Sequence, residues 1–280
     1  MNEYTVFSKD AIKKQSTNSV SKGWLLKWKL GDTWLKSPGF MYEYMYESYA
    51  EVLASSIAKD LGIKRCLQYK PCILIIDGVR VLGCESKDYK GNNIEITLSK
   101  LERLGEIGSY RHSGYDGYRK LIQEIKKKFG LDIQAYLEDL LMLDAVTLNI
   151  DRNLWNISIL TDGKGNFREC PIYDTGLSLG LERLHSTNFD ELYMYNNGFK
   201  AEPFDVYFEN QVKYIRSNRE YSSNSSNSIK MYNYIRDNFC VNNTYRVVNT
   251  ISIEQMNFTY ELINQRYRSV VLNKLWKQHI

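Results

Sequence analysis

Proline is scarce in this chain, with four residues in 280, and histidine is scarcer still at three. His112, His185 and His279 lie far apart with no partner three or four positions away, so a histidine-based metal site is not expected. The five cysteines (Cys66, Cys72, Cys84, Cys170, Cys240) are odd in number and lack any C-x-x-C spacing. That argues against a disulfide framework or a structural zinc, and makes a reducing cytosol the default. No apolar run approaches the roughly 20 residues that a membrane-spanning helix needs. The opening Met1-Asn2-Glu3-Tyr4 has no basic region leading into an apolar stretch, so no signal peptide is indicated. Charge is nearly balanced, 37 Lys+Arg against 33 Asp+Glu, and no Lys/Arg block concentrates the net +4 into a nucleic-acid surface. A soluble intracellular protein is expected.

What the chain does have is 43% hydrophobic residues, enough length for one large domain or two packed lobes, and 22 tyrosines. Tyr42, Tyr44, Tyr46 and Tyr49 crowd one stretch without interleaved Arg or Lys, and read as a helix and its approach packing on a sheet rather than a base-stacking surface.

Residues 24–36, WLLKWKLGDTWLK, are two short runs around Gly31-Asp32 and predict a hairpin. Glu43–Leu61 turns helical: Val52, Leu53, Ile57 and Leu61 recur at three- and four-residue steps, with Gly62 at the C-cap position. Cys72–Asp77 and Val79–Cys84 flank Asp77-Gly78, a second hairpin. Beyond about residue 88 the character changes. Gly117–Lys128 and Ile133–Leu148 are helical by period, the second apolar on most of its surface with Asp132 as its N-cap. Strands are expected at Trp155–Leu160 and Arg168–Tyr173, a mobile surface loop at Ser217–Ser228, and a closing helix at Tyr260–Gln278. The fold class is α+β and bilobal: a small sheet-rich lobe over residues 1–87, then a larger, mainly helical lobe over 88–280, with a cleft between them.

The chemistry concentrates after the apolar helix, in Leu148-Asn149-Ile150-Asp151-Arg152-Asn153-Leu154-Trp155-Asn156, and again at Pro171-Ile172-Tyr173-Asp174-Thr175-Gly176. Phosphoryl transfer from ATP needs a carboxylate to orient the attacking hydroxyl and accept its proton. It also needs oxygen ligands for Mg²⁺ and a lysine on the α/β-phosphates. Asp151 and Asn156 have the D-x-x-x-x-N offset of that chemistry, and Asp174 follows 23 residues after Asp151, beyond a hairpin. A bare D-x-x-x-x-N carries little weight. The joint occurrence of helix, loop, hairpin and second aspartate carries more. In the small lobe Lys36 ends the second strand of the first hairpin, with Lys27 and Lys29 as competitors, and the helix offers Glu51 or Glu47 as its partner. No G-x-G-x-x-G loop is present; Ser16–Gly23 occupies its place, where backbone N–H groups and hydroxyls could meet phosphates.

At these residues the chain resembles the HipA-like serine/threonine kinases, especially short bacterial members without the extra N-terminal subdomain. The resemblance covers roughly residues 20–215. Its carriers are Gly31-Asp32-x-Trp34-Leu35-Lys36, Tyr46-Glu47-x-x-Ala50-Glu51, the stretch Leu148–Asn156, Pro171–Leu179 and Glu202-Pro203-Phe204. It implies a kinase-like bilobal fold using ATP and Mg²⁺, with Asp151 as catalytic aspartate, Asn156 and Asp174 as metal ligands and Lys36 as the ATP lysine. The stretch Gly83–Lys87, with Glu85, Ser86 and Lys87, matches the hinge that reads adenine, and Ser19 and Ser21 fall in the phosphate loop. It further implies a protein substrate phosphorylated on Ser or Thr, an antitoxin-type partner in some members, and a bacterial cytosolic setting with secretion as an effector left open. Asn153 stands where many relatives carry His.

Two other readings share the same residues. One is a small-molecule phosphotransferase, for which Glu182, Asp190 and Glu191 could line a cationic-substrate pocket. The other is a nucleotide-binding regulator without turnover. Autophosphorylation at Ser16, Thr17, Ser19 or Ser21 is a separate expectation, since a phosphate there would crowd the site for ATP's own phosphates.

Overall fold

The structure, a computed structural model, describes residues 1–12, 25–38, 46–181, 199–222 and 224–273. The expected phosphate loop with Ser16, Thr17, Ser19 and Ser21 lies outside these residues. So do Tyr42 and Tyr44, the acidic Glu182, Asp190 and Glu191, His185, His279 and the end of the closing helix.

The chain opens with β1 (Asn2–Val6), which sequence patterning did not single out, followed by β2 (Leu25–Leu30) and β3 (Thr33–Pro38). After α1 (Glu47–Asp60) come β4 (Lys70–Ile76) and β5 (Val79–Lys87). These strands form one sheet in the order β1-β4-β5-β3-β2, with β1 parallel to β4 and the other pairs antiparallel. Asp77 and Gly78 both take positive φ, 50° and 87°, the turn that matches the right-handed twist of the strands it joins.

The sheet's two faces sort by alternation. Leu35, Cys72, Leu74, Ile76 and Val81 pack with Val6 and Trp28 in a small outer cluster. Ile73, Leu82 and Cys84 face α1 and join the main core. Lys36, next to Leu35 and opposite Cys84, therefore points to the helix side.

A second, three-stranded antiparallel sheet comprises β6 (Ile94–Thr97), β7 (Ser158–Thr161) and β8 (Phe167–Glu169) in that order. The helices are α2 (Leu98–Arg103), α3 (Gly114–Phe129) and α4 (Gln134–Thr147), then α5 (Phe208–Val212), α6 (Ser226–Ile235) and α7 (Ile253–Arg266); α2 packs on β6, whereas α6 packs on α1. π-helical turns Arg236–Val241 and Tyr267–Leu272 continue α6 and α7. Residues 137 to 147 of α4 are all buried, as its apolar content requires. No helix among the described residues is long and apolar enough to cross a membrane.

Several expectations are corrected. The two strands after the catalytic-loop candidate are shorter, because Trp155 lies in a turn and only Ser158–Thr161 and Phe167–Glu169 pair. Ser217–Ser228 is not one surface loop: its end starts α6, and Ser228 is buried with its N–H on the Asp60 carboxylate at 2.7 Å. Polar composition there serves capping rather than solvation. The helix expected from Glu43 begins at Glu47, and the closing helix begins at Ile253, where Ser252 and Gln255 make a capping box. The N-cap of α4 is Ile133 rather than Asp132, whose carboxylate accepts the Gln134 N–H at 3.1 Å from one residue further out.

Candidate active site

Lys36 is 7% exposed, and its ammonium has three partners. It donates to Glu51 Oε1 at 2.6 Å, to the Tyr69 hydroxyl at 2.9 Å and to Asp174 Oδ1 at 3.2 Å. Burial works against its charge, but the Glu51 carboxylate, with Tyr69 and Asp174, outweighs it and holds the lysine well above its ordinary value. The other Glu51 oxygen accepts from the Thr175 N–H at 3.2 Å and from its hydroxyl at 3.0 Å. One buried carboxylate thus ties β3 to the segment of Asp174. Glu47 lies beside this group without touching Lys36: it is buried, its Oε1 has no hydrogen-bond partner, and its side chain packs on Gly176. Lys29 is committed elsewhere, to Asp88 at 2.6 Å, whereas Lys27 lines the cleft.

The loop carrying Asp151 is built by Arg152, which is fully buried. Its guanidinium grips Asp144 of α4 at 2.8 and 3.2 Å, and donates to the carbonyls of Asn156 at 3.1 Å and Tyr173 at 2.7 Å. One side chain therefore spaces α4, the loop and the approach to Asp174. Leu148 leaves α4 in the left-handed conformation, φ 53°, and Asn149 reaches back to Asp144 at 3.1 Å. Asn156 donates to the Asp151 carbonyl at 2.7 Å and to its carboxylate at 3.3 Å. Asn153 also donates to the Asp151 carboxylate, at 3.2 Å, and accepts the Trp155 N–H at 2.9 Å, which accounts for its place in the loop's packing. Burial first, then the negative charge of Asp174, pushes the Asp151 carboxyl above the usual range.

Asp174 adopts φ 60° and is carried on a segment that runs beside the α1–β4 connection. There Ile172 and residues 65–67 exchange backbone hydrogen bonds at 2.8 Å. Lys36, Asn156 and Asp174 all line one cleft of about 550 Å³. Ser86 lines it too. The alternation of β5 turns Glu85 the other way, onto Asn2 at 2.9 Å and Tyr4 at 2.6 Å, and Lys87 is exposed at the strand end.

Patterning missed the far wall of the cleft. Tyr89 and Tyr173 stack with centroids 5.7 Å apart, and Glu95 accepts from Tyr173 at 2.7 Å, from Ser158 at 3.0 Å and from Tyr89 at 3.1 Å, besides pairing with Lys90. It missed Arg152, Asn149 and Asp144 as well. A lone Arg-Asp pair eight residues apart across a helix end carries no periodic signal. On the other side of Asp151 a second cavity of about 500 Å³ is lined by Ser99, Glu102, Arg111, Trp155 and Glu202.

Among the described residues no three His, Cys, Asp or Glu side chains could cage a metal. A Mg²⁺ held by one or two protein oxygens and by a substrate's phosphates needs no such cage, and Asp174 and Asn156 suit that role.

No protein-family profile matches the chain, and no curated protein resembles it in sequence. Structure is more informative. The Helicobacter pylori proinflammatory kinase CtkA superposes with a TM-score of 0.62 at 14% identity, over 99% of this chain and 98% of that one. This chain has a kinase fold. A second similar structure is HipA of Shewanella oneidensis MR-1, solved with HipB and operator DNA, at TM-score 0.45 and 11% identity over 96% of this chain and 69% of that one.

Proposed function

We propose that this protein is an ATP- and Mg²⁺-dependent protein kinase of the HipA-like type, transferring the γ-phosphoryl group to serine or threonine hydroxyls. The observation that carries the reading is the convergence on one cleft of a buried Lys36–Glu51 pair, Asp174 and the Asp151–Asn156 loop. Lys36 would steady the α/β-phosphates, with Glu51 fixing its reach. Asp174 and Asn156 would hold the Mg²⁺, which when bound neutralises phosphate charge. Asp151 would orient the acceptor hydroxyl and take its proton, and its raised carboxyl makes it a stronger base than a surface aspartate. The acceptor would approach from the second cavity, beside Glu102 and Glu202. On this reading residues 1–87 and 88–280 are the two lobes, Ser86 belongs to the adenine side, the protein works in the cytoplasm, and its partners are a protein substrate and an antitoxin-type protein.

The test is transfer of labelled phosphate from Mg-ATP, with protein and small-molecule fractions separated afterwards and Lys36→Met as control. Label on protein Ser or Thr that Lys36→Met abolishes is expected. Label confined to small molecules would replace this reading with a small-molecule phosphotransferase. ATP binding without transfer would replace it with a nucleotide-binding regulator.

A further inference from the structure

Every residue of α1 except Lys59 is buried, and one face of it lies on the sheet. The remainder is covered by α4, by the Asp174–Gly176 segment and, most extensively, by the chain's own C-terminal third. At the far end of α1, Asp60 accepts the backbone N–H groups of Asn227 and Ser228 at 2.8 and 2.7 Å, as α6 starts. Near the start of α1, at Tyr49, the cover includes residues 242–252, the irregular link before α7.

The geometry there centres on Asn249, 1% exposed. Strand β3 pairs with β5 only as far as Lys36 opposite Cys84, and it ends at Pro38, which has no N–H to continue the ladder. The edge of β5 beyond Cys84 is therefore open, and the link closes it. The Asn249 side-chain amide accepts the Leu82 N–H at 2.7 Å and donates to the Leu82 carbonyl at 3.0 Å, and the Val248 N–H goes to the Arg80 carbonyl at 2.9 Å. The backbone carbonyl of the same Asn249 accepts the hydroxyl of Tyr49, itself fully buried, at 2.7 Å. Leu82 stands two residues from Cys84, the cross-strand neighbour of Lys36, and Tyr49 stands two residues from Glu51.

We propose that Asn249 is a positioning residue: it holds the strand beside Lys36 and the helix of Glu51 to one another, so the buried Lys–Glu pair is kept assembled by the chain's own C-terminal third. Kinases in which that helix is free need a separate event to bring it in. A helix covered on both sides and tied at both ends does not. The functional meaning rests on the kinase reading, but the contact itself can be tested without it.

The experiment compares wild type with Tyr49→Phe, which removes only the hydroxyl, and Asn249→Asp, which keeps the shape but faces the Leu82 carbonyl with an acceptor. Acetylation of Lys36 by acetic anhydride is followed by mass spectrometry, with exposed Lys59 as internal reference and thermal melts to verify folding. Losing one buried hydrogen bond should loosen the pair about fivefold, so Lys36 should acetylate about fivefold faster in both variants while Lys59 does not change. In a Glu51→Gln background, Tyr49→Phe should add nothing further, since the pair it supports is already gone. A general loss of structure would instead add to it. If Asn249→Asp does not fold, Tyr49→Phe decides alone. Unchanged Lys36 acetylation, or a full effect in the Glu51→Gln background, overturns the proposal. In phosphate transfer, kcat should fall about fivefold with KM for the acceptor unchanged. A wild type that transfers no phosphate while Lys36 acetylation shifts as expected would remove the kinase reading and leave the positioning role standing.

Discussion

Arg152 and Glu47 sit within a few residues of the proposed chemistry; spacing offers Glu47 only as an alternative partner for Lys36 and gives Arg152 no role of its own. Arg152 is held by Asp144 and two carbonyls with no exposure at all. Burial has already pushed the Asp144 carboxyl above its ordinary value, and the guanidinium beside it is its compensation. Arg152→Ala would leave that carboxylate buried and unpaired, and should lower stability by about 3–5 kcal/mol in urea unfolding; a loss under about 1 kcal/mol would show the pair to be incidental. Glu47 gives a pH prediction. Burial, then Asp174 and Glu51, pushes its carboxyl from an ordinary 4.5 up to about 8. The folded state therefore holds this proton more tightly than the unfolded state does. Its contribution is complete below pH 4.5 and declines as the pH rises towards about 8. Glu47→Gln cannot titrate, so in metal-free thermal melts its advantage over wild type should grow across that window and then level off. Parallel curves would contradict the assignment.

At the scale of elements, alternation does most of the placing. Period-2 patterning along β3 and β5 puts Lys36, Cys84 and Ser86 on one face and Leu35 and Glu85 on the other. That is why Ser86 of the expected hinge lines the cleft and Glu85 does not. Gly83 permits the close approach of these strands: a Cβ there would lie 2.7 Å from the Lys36 carbonyl oxygen and 2.7 Å from Leu74 Cδ1. Gly83→Ala should cost about 1–3 kcal/mol and weaken Mg-ATP binding by displacing Lys36, read by titration calorimetry. Unaltered affinity would mean that β3 can shift without consequence. The hairpins, α1, α3 and α4 were legible because each is a local pattern closed by a local signal. β1 was not, since its partner β4 lies about 70 residues away and its five residues have no turn of their own. The strands β7 and β8 were overdrawn because apolar residues at a turn, such as Trp155, read like strand residues.

At the scale of the molecule, the Asp151–Asn156 offset, Asp174 and Lys36 were visible because phosphoryl transfer restricts both residue type and spacing. What brings them together was not visible. Arg65 and Ile172 meet by backbone bonds, Thr175 meets Glu51, and the 242–252 link closes the edge of β5, all across more than 100 residues with no sequence periodicity to announce them. The same holds for residues 217–228, whose polar run has the composition of a solvent-facing loop although Asp60 anchors its end. The most direct test of the account is one substitution, Asp151→Asn, measured for both Mg-ATP affinity and the rate of phosphate transfer to protein. The account predicts affinity within about threefold of wild type and transfer slowed by about 10²–10⁴. Transfer at the wild-type rate would contradict it, because phosphate would then be transferred without the base proposed for it.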